Sequence, residues 1–253
     1  MRDMKMRHQT ARMENARHDN GEKLCNSRRF NLFRGQISSG GDDTALLFTT
    51  DTQLQLLHDS HVIYVDSTFK VVPALYYQLF TIFVPHAHYS FPVCYALMTR
   101  KTTASYRAML ERLHQLAPLF APTQLIADFE DAPAAAFRAV FGEQLQISGC
   151  WFHYAQAVVR RMKKLGLQEA HKTQEHTQLA FRCVLSLPLL PSNEIEPGFG
   201  DVQSLDIDDS ASKQLIQQLF RYVDRQWIKK ASIGPTRLSA RDNTSLVVGI
   251  FHT

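Results

Sequence analysis

The chain has 253 residues, of which 45% are hydrophobic and 21% are charged, and its formal net charge at pH 7 is +4. This composition excludes a chain that is disordered throughout and is typical of a globular domain with a sizeable core. The modest positive charge permits an acidic partner such as nucleic acid without requiring one. The four cysteines include no closely spaced pair, so a disulfide framework is not expected and a reducing compartment is favoured.

The first 43 residues are predicted to form a basic flexible arm. They are polar, rich in Arg and Met, and end in SSGGDD at residues 38–43. They lack the continuous apolar run of a signal peptide, and no stretch of the chain reaches the length of a membrane span. We therefore expect a soluble protein of the nucleus or the cytosol.

Residues 44–166 are predicted to form the folded core. A short strand and helix come first, and three runs rich in β-branched and aromatic residues follow, which indicates an antiparallel meander. Helical and strand patterns then alternate. The runs in chain order are VIYVDSTFKVV (62–72), YYQLFTIFVPH (76–86), FPVCYALMTR (91–100), SYRAMLERLHQLAPLF (105–120), TQLIADFE (123–130), DAPAAAFRAVFG (131–142), EQLQISGCW (143–151) and AQAVVRRMKKLG (155–166). The order βββαβαβα predicts an α/β fold with a mixed five-stranded sheet flanked by helices.

Residues 167–253 are predicted to be a helical insertion and C-terminal extension. Two helical patterns, at 177–191 and 212–231, flank a loop at 193–210 that is rich in acids, Gly and Pro. Basic side chains recur on the helices of residues 155–166 and 212–231. These basic side chains either form a solvated surface or contact DNA phosphates. The DNA-contact candidates are Arg160, Arg161, Lys163, Lys164, Arg221, Arg225 and Lys229.

Two aspartates are the candidate catalytic and metal-binding residues. Asp66 lies inside the apolar run VIYVDSTF, where a short charged side chain is disfavoured, and Asp128 closes LIAD at the carboxyl end of another strand. If those strands are neighbours, both carboxylates project from one edge of the sheet, where they could share Mg²⁺ or Mn²⁺ for phosphodiester chemistry. Alternatively, Asp66 belongs to a turn or sheet edge, and Asp128 caps the following helix.

Cys150 and His153 form a second candidate pair, in the segment GCWFHYAQAVVRR at residues 149–161. Their spacing places them one turn apart on a helix, and they supply only two of the four ligands that structural zinc requires. His171, His176 and Cys183 could complete such a site, but they form no recognisable second pair. Packing near the aspartates is the favoured interpretation, with a polar role toward DNA or a zinc site as alternatives.

Five segments, taken in order, resemble the catalytic domain of Mutator-like element (MULE) transposases: VDSTFK (65–70), YYQLFTIFV (76–84), the ALMTRK to SYRAML stretch (96–110), LIADFEDA (125–132) and GCWFHYAQAVVRR (149–161). The resemblance covers roughly residues 44–240. It implies an RNase H-like fold, a DNA partner, and metal-dependent cleavage and strand transfer of DNA at transposon ends. The alternative is a DNA-binding or interaction protein that keeps this fold without catalysis. Either function is compatible with a homo-oligomer.

The resemblance assigns roles to single residues. Asp66 and Asp128 match the first two metal-binding aspartates of the family's acidic triad, and Cys150 and His153 match its C-x2-H pair. The third carboxylate is expected in a later Arg-Thr-Asn-Asn segment, but here Arg241 and Asn243 are followed by no glutamate before His252. The family's upstream zinc-binding domain is also not recognisable. A truncated, decayed or domesticated core is therefore expected.

Overall fold

A computed structural model describes residues 31–207 and 210–229. The strands within these ranges are β1 (Phe33–Gly40), β2 (Asp43–Phe48), β3 (Val62–Thr68), β4 (Gln78–His86), β5 (Tyr89–Met98), β6 (Gln124–Ala127) and β7 (Gln146–Gly149). They belong to a seven-stranded mixed sheet in the order β1-β2-β5-β4-β3-β6-β7. Strands β3, β4 and β5 pair in antiparallel fashion, whereas β6 and β7 are parallel.

The helices flank this sheet and extend beyond it along the chain. They are α1 (Asp51–His58), α2 (Thr103–Leu116), α3 (Asp131–Phe141), α4 (Trp151–Lys164), α5 (Gln168–Thr173), α6 (Glu175–Ser186), α7 (Ile195–Gln203) and α8 (Ser210–Val223), with a π-helical turn at Asp224–Ile228. From β3 to α4 the order is βββαβαβα, so the predicted α/β fold with a mixed sheet flanked by helices is confirmed. None of the helices in the described ranges is long and apolar enough to cross a membrane.

The predicted five-stranded sheet was two strands short. Residues 33–40, which were assigned to the flexible arm of residues 1–43, form β1 and pair with β2 through a turn at Gly40 and Gly41. Gly40 and Gly41 have positive φ angles of 124° and 54°, a backbone conformation that residues with a Cβ atom rarely adopt. The Phe33 ring contacts the Phe48 ring at a centroid distance of 5.6 Å, which anchors the strand. Residues 1–30 of the arm lie outside the described ranges.

The described chain divides into two compact units. The first comprises the residues up to Thr123 together with Asp131–Leu145, and the second comprises Gln124–Glu130 and the residues from Gln146 onwards. In the first unit, α2 buries Tyr106, Met109, Leu110 and Leu113 completely. Its neighbour α3 adds Phe137 and Phe141, and the Phe141 ring meets Phe120 edge-on at 4.9 Å.

The second unit has its own apolar core, contributed by α4 and the helices that follow. Its buried members are Tyr154, Val158, Met162, Leu167, Ala180, Phe181, Val184, Leu187, Ile195, Phe199, Val202, Ile207, Ile216, Leu219, Phe220 and Val223. The helical character predicted for residues beyond 166 is therefore correct within the described ranges.

The predicted loop at residues 193–210 was wrong in part, because α7 occupies its centre. Ile195, Phe199 and Val202 are buried at helical spacing, so apolar contact outweighs the weak helix propensity of the intervening residues. Pro197 lies in the first turn of α7, where its missing N–H costs no helical hydrogen bond. Glu194 and Glu196 lie at the start of α7 and are exposed.

A capped helix terminus provides a test of the first unit. Thr102 is the N-cap of α2, and its Oγ1 accepts a hydrogen bond from the Ser105 N–H at 3.1 Å. We expect Thr102→Ala to lower the free energy of unfolding by about 0.5–2 kcal/mol in urea denaturation, because this bond is lost. Thr103→Ala, in the same turn and likewise exposed but not the N-cap, is the matched control and should change stability by less than about 0.5 kcal/mol. Equal effects of the two substitutions would contradict the capping role.

Candidate metal and DNA site

Asp66 lies within β3 rather than in a turn or at a sheet edge. It pairs in register with Thr81 of β4, and the preceding residues Ile63, Tyr64 and Val65 are buried. Its own side chain is half-buried. The alternative that placed Asp66 in a turn is therefore wrong. A short charged side chain is disfavoured within a strand, so strand formation does not explain why an aspartate stands here.

Thr68 contacts the carboxylate of Asp66. Its hydroxyl donates a long hydrogen bond of 3.4 Å to Asp66 Oδ2. Residues two apart on a strand share a face, so the spacing Asp-x-Thr in VDST could have revealed this partner from the sequence. The bond restricts the rotation of the Asp66 carboxylate.

Tyr64 shares this strand face with Asp66. It is 7% exposed, burial raises the pKa of its phenol, and its hydroxyl has no hydrogen-bond partner among the described residues. The phenol therefore stays protonated at neutral pH. No sequence pattern singles out Tyr64, because a tyrosine in an apolar strand is ordinary.

Asp128 directly follows β6 and lies in the second unit. Its Oδ1 accepts a hydrogen bond from the Glu130 N–H at 3.0 Å, which is a local turn before α3 begins at Asp131. The bond is local, as the capping alternative predicted, but its donor Glu130 lies in the loop before α3 and not in the helix itself. A carboxylate offers about four lone-pair positions, so this bond orients Asp128 without exhausting its capacity to bind a cation.

The two aspartates are hard oxygen donors of the kind that Mg²⁺ and Mn²⁺ prefer. In chemical type the residues therefore match the ion that the resemblance implies. Among the described residues, no group of three or more His, Cys, Asp or Glu side chains is arranged to hold a metal ion. The segment predicted to supply a third carboxylate, with Arg241, Asp242, Asn243 and His252, lies outside the described ranges.

Cys150 stands at the junction between β7 and α4. It is the N-cap residue of α4, and its backbone N–H donates a 2.7 Å hydrogen bond to the Ala127 carbonyl at the end of β6. Its half-buried thiol makes no capping hydrogen bond. His153 follows in the first turn and contacts the Phe152 ring at 5.8 Å.

The helix that carries this pair is fixed to the helical segments that follow. Trp151 Nε1 donates to the Leu185 carbonyl at 2.9 Å, and the buried Tyr154 hydroxyl donates to the Val184 carbonyl at 2.8 Å. Burial, with a further contribution from Tyr222, raises the pKa of Tyr154, so its phenol remains a donor at neutral pH. Cys150 and His153 therefore stand at the start of a helix that these two hydrogen bonds hold against the segments that follow.

The seven basic candidates all lie in the second unit and differ in exposure. Six are exposed, whereas Arg161 is half-buried, with its guanidinium carbon 5.5 Å from the centroid of the Tyr222 ring. Arg160, Lys163 and Lys164 lie on the side of α4 opposite its buried residues. On the C-terminal segment, Lys229 forms a 2.7 Å ion pair with Asp224.

A serine substitution separates packing from zinc binding at Cys150. Serine is a preferred N-cap whose hydroxyl accepts from the first turn, so we expect Cys150→Ser to keep or raise the melting temperature. Purified protein should hold no stoichiometric zinc by elemental analysis. One zinc per chain that disappears in Cys150→Ser, with a fall in melting temperature, would overturn the packing interpretation.

Comparison with known proteins identifies part of the chain. No curated protein matches it. Among solved structures, the Drosophila P element transposase strand transfer complex matches with 10% sequence identity and a TM-score of 0.30, over 68% of this chain and 52% of that one. The chain thus spans about half the length of that structure. Residues 62–157 match the family model of the MULE transposase domain, which confirms the resemblance for this region.

Proposed function

We propose that the chain is the core of a MULE-like transposase that cleaves and joins DNA at transposon ends with the help of a divalent metal ion. The observation that supports this most strongly is the extent of the family match. Residues 62–157 include Asp66, Asp128, Cys150 and His153, which are the four positions to which the resemblance assigns roles.

In this proposal Asp66 and Asp128 hold Mg²⁺ or Mn²⁺. When bound, such an ion would polarise the scissile phosphodiester and stabilise charge on the leaving oxygen. The Thr68 hydroxyl and the Glu130 N–H orient the two carboxylates, so that fewer rotamers are lost on binding. A nuclear location follows from the DNA substrate and is part of the same proposal.

The exposed basic residues supply the second part of the proposal. Arg160, Lys163 and Lys164 project from one side of α4, and Arg221 and Arg225 are exposed on the C-terminal helical segment. Lysine and arginine that neutralise phosphates give binding that tolerates any sequence and weakens with salt. Arg161 is expected to contribute less, since its guanidinium lies against Tyr222.

A protein that binds DNA without cutting it is the competing function. One observation of the sequence favours it, namely that no glutamate lies between Asn243 and His252, where the resemblance implies the third carboxylate. Losing one electrostatic element of a catalytic site typically lowers the rate about 10²–10³-fold. Metal-dependent nicking of a plasmid distinguishes the two functions.

Metal binding provides the first test. We expect the chain to bind Mn²⁺ by calorimetry, and Asp66→Asn and Asp128→Asn each to abolish this binding, because the amide oxygen carries no charge. Asp59→Asn, at the exposed end of α1, is the control and should bind as the wild type does. Retention of Mn²⁺ binding in both substituted proteins would rule out the proposed ligands.

Salt dependence provides the second test. We expect duplex DNA to bind weakly and without sequence preference, with affinity falling steeply between about 50 and 200 mM salt. Replacing Arg160, Lys163 and Lys164 together by Gln should reduce the slope of log K against log salt by up to roughly 2.7, since each phosphate contact contributes about 0.9.

Lys172→Gln is the matched control for the triple substitution. Lys172 is exposed on α5 and is paired with Glu169 at 3.2 Å. Its replacement should leave the slope unchanged. A slope that the triple substitution does not alter would argue against phosphate contacts on α4.

A further inference from the structure

Two exposed aromatic rings lie together at the end of β3, within the first unit. Phe69 directly follows β3 and Tyr77 directly precedes β4, and they are 41% and 49% exposed. Their centroids are 5.5 Å apart with an interplanar angle of 76°, an edge-to-face contact. Such a contact covers at most one face of one ring, so aromatic faces remain that the partner ring does not cover.

A lysine lies above both rings. Lys101 Nζ is 5.9 Å from the Phe69 centroid and 6.0 Å from the Tyr77 centroid, both within cation–π range. Lys101 comes after β5 and immediately before Thr102, the N-cap of α2. The ends of three strands thus bring two rings and one cation into a single cluster, which we call the aromatic platform (Phe69, Tyr77 and Lys101).

The strand register places Tyr77 of this platform on the Asp66 side of the sheet. Asp66 pairs with Thr81 and Thr68 pairs with Leu79, so these four residues share one face. Tyr77 continues the same alternation, and its N–H bonds to the Met98 carbonyl at 2.8 Å, which extends the ladder. Thr81 comes four positions after Tyr77, which corresponds to about 13 Å along an extended strand.

The charge near the platform limits what it can bind. Residues 67–110 contain the cations Lys70, Arg100, Lys101 and Arg107 and no Asp or Glu. Arg107 is paired with Glu111 at 3.3 Å and Asp43 accepts a bond from Thr102, so Lys70, Arg100 and Lys101 carry the positive charge of this argument. An apolar protein partner would gain nothing from this charge. A ligand that combines planar rings with negative charge matches both properties, and an unpaired nucleotide has this combination.

We propose that the aromatic platform stacks an unpaired base of the DNA strand that is held near Asp66. This proposal rests on the proposed function, from which it takes DNA as the ligand. It adds that at least one base of that DNA lies outside the duplex. Stacking on aromatic side chains contributes about 1–3 kcal/mol per base, enough to offset part of the cost of unstacking.

The test uses the full chain and two DNA probes that carry 2-aminopurine. One is a duplex with a three-nucleotide unpaired end that contains the fluorescent base, and the other is a blunt duplex of the same paired sequence. Binding is measured in EDTA, so that it does not depend on a metal ion. We expect the unpaired-end probe to bind more tightly and its fluorescence to be quenched by stacking.

Substitutions in the platform should remove this preference. Phe69→Ala and Tyr77→Ala are each expected to weaken binding of the unpaired-end probe roughly 5- to 150-fold, with less quenching and little change for the blunt probe. Tyr77→Phe should retain stacking and shows that loss does not come from misfolding. Tyr89→Ala, at an exposed aromatic residue of the β4–β5 hairpin, is the control and should leave both probes unaffected.

The outcomes separate this proposal from the proposed function. Asp66→Asn should keep the quenching in EDTA even though it loses metal binding. Equal affinity of the wild type for both probes, or absence of quenching, would overturn the platform while leaving metal-dependent cleavage intact. Binding and quenching that persist in Phe69→Ala and Tyr77→Ala would overturn it as well.

Discussion

The backbone hydrogen bond from Cys150 to the Ala127 carbonyl determines the arrangement of the second unit. It joins the end of β7 to the end of β6, directly before Asp128, and it does so at the residue where α4 begins. The direction of α4 is then fixed by the bonds of Trp151 and Tyr154 to the carbonyls of Leu185 and Val184. This hydrogen bond uses the backbone of Cys150, so it sets the position of the C-x2-H pair without requiring the side chains to be Cys and His.

The central strand and helix order could be predicted because each element carries its own local signal. The apolar runs of β3, β4 and β5 are rich in β-branched and aromatic residues, and α2 buries Tyr106, Met109, Leu110 and Leu113 at helical spacing. Asp66 was recognisable because it lies inside an apolar run, in which Ile63, Tyr64 and Val65 are buried. Asp128 was recognisable from its place at a strand end, although its bond to the Glu130 N–H shows that local turn formation contributes there.

Other features depend on contacts that a single segment does not display. β1 has the sequence FRGQISSG, whose glycines and serines favour a loop, and it becomes a strand only by pairing with β2. α7 contains Pro197 and two glycines, yet burial of Phe199 and its apolar neighbours in the second core stabilises the helix. The aromatic platform requires the register of β3 with β4, which no periodicity in the sequence specifies.

The proposed function depends on one claim, that Asp66 and Asp128 are the metal ligands. A substitution at either aspartate tests only one of these two proposed ligands at a time. The most direct measurement is cleavage of the polypeptide by hydroxyl radicals generated at Fe²⁺ bound in place of Mg²⁺, with the cut sites mapped by mass spectrometry. The account predicts cuts clustered near both residue 66 and residue 128 that Mg²⁺ suppresses in parallel. Cuts near only one of the two aspartates, or at neither, would contradict it.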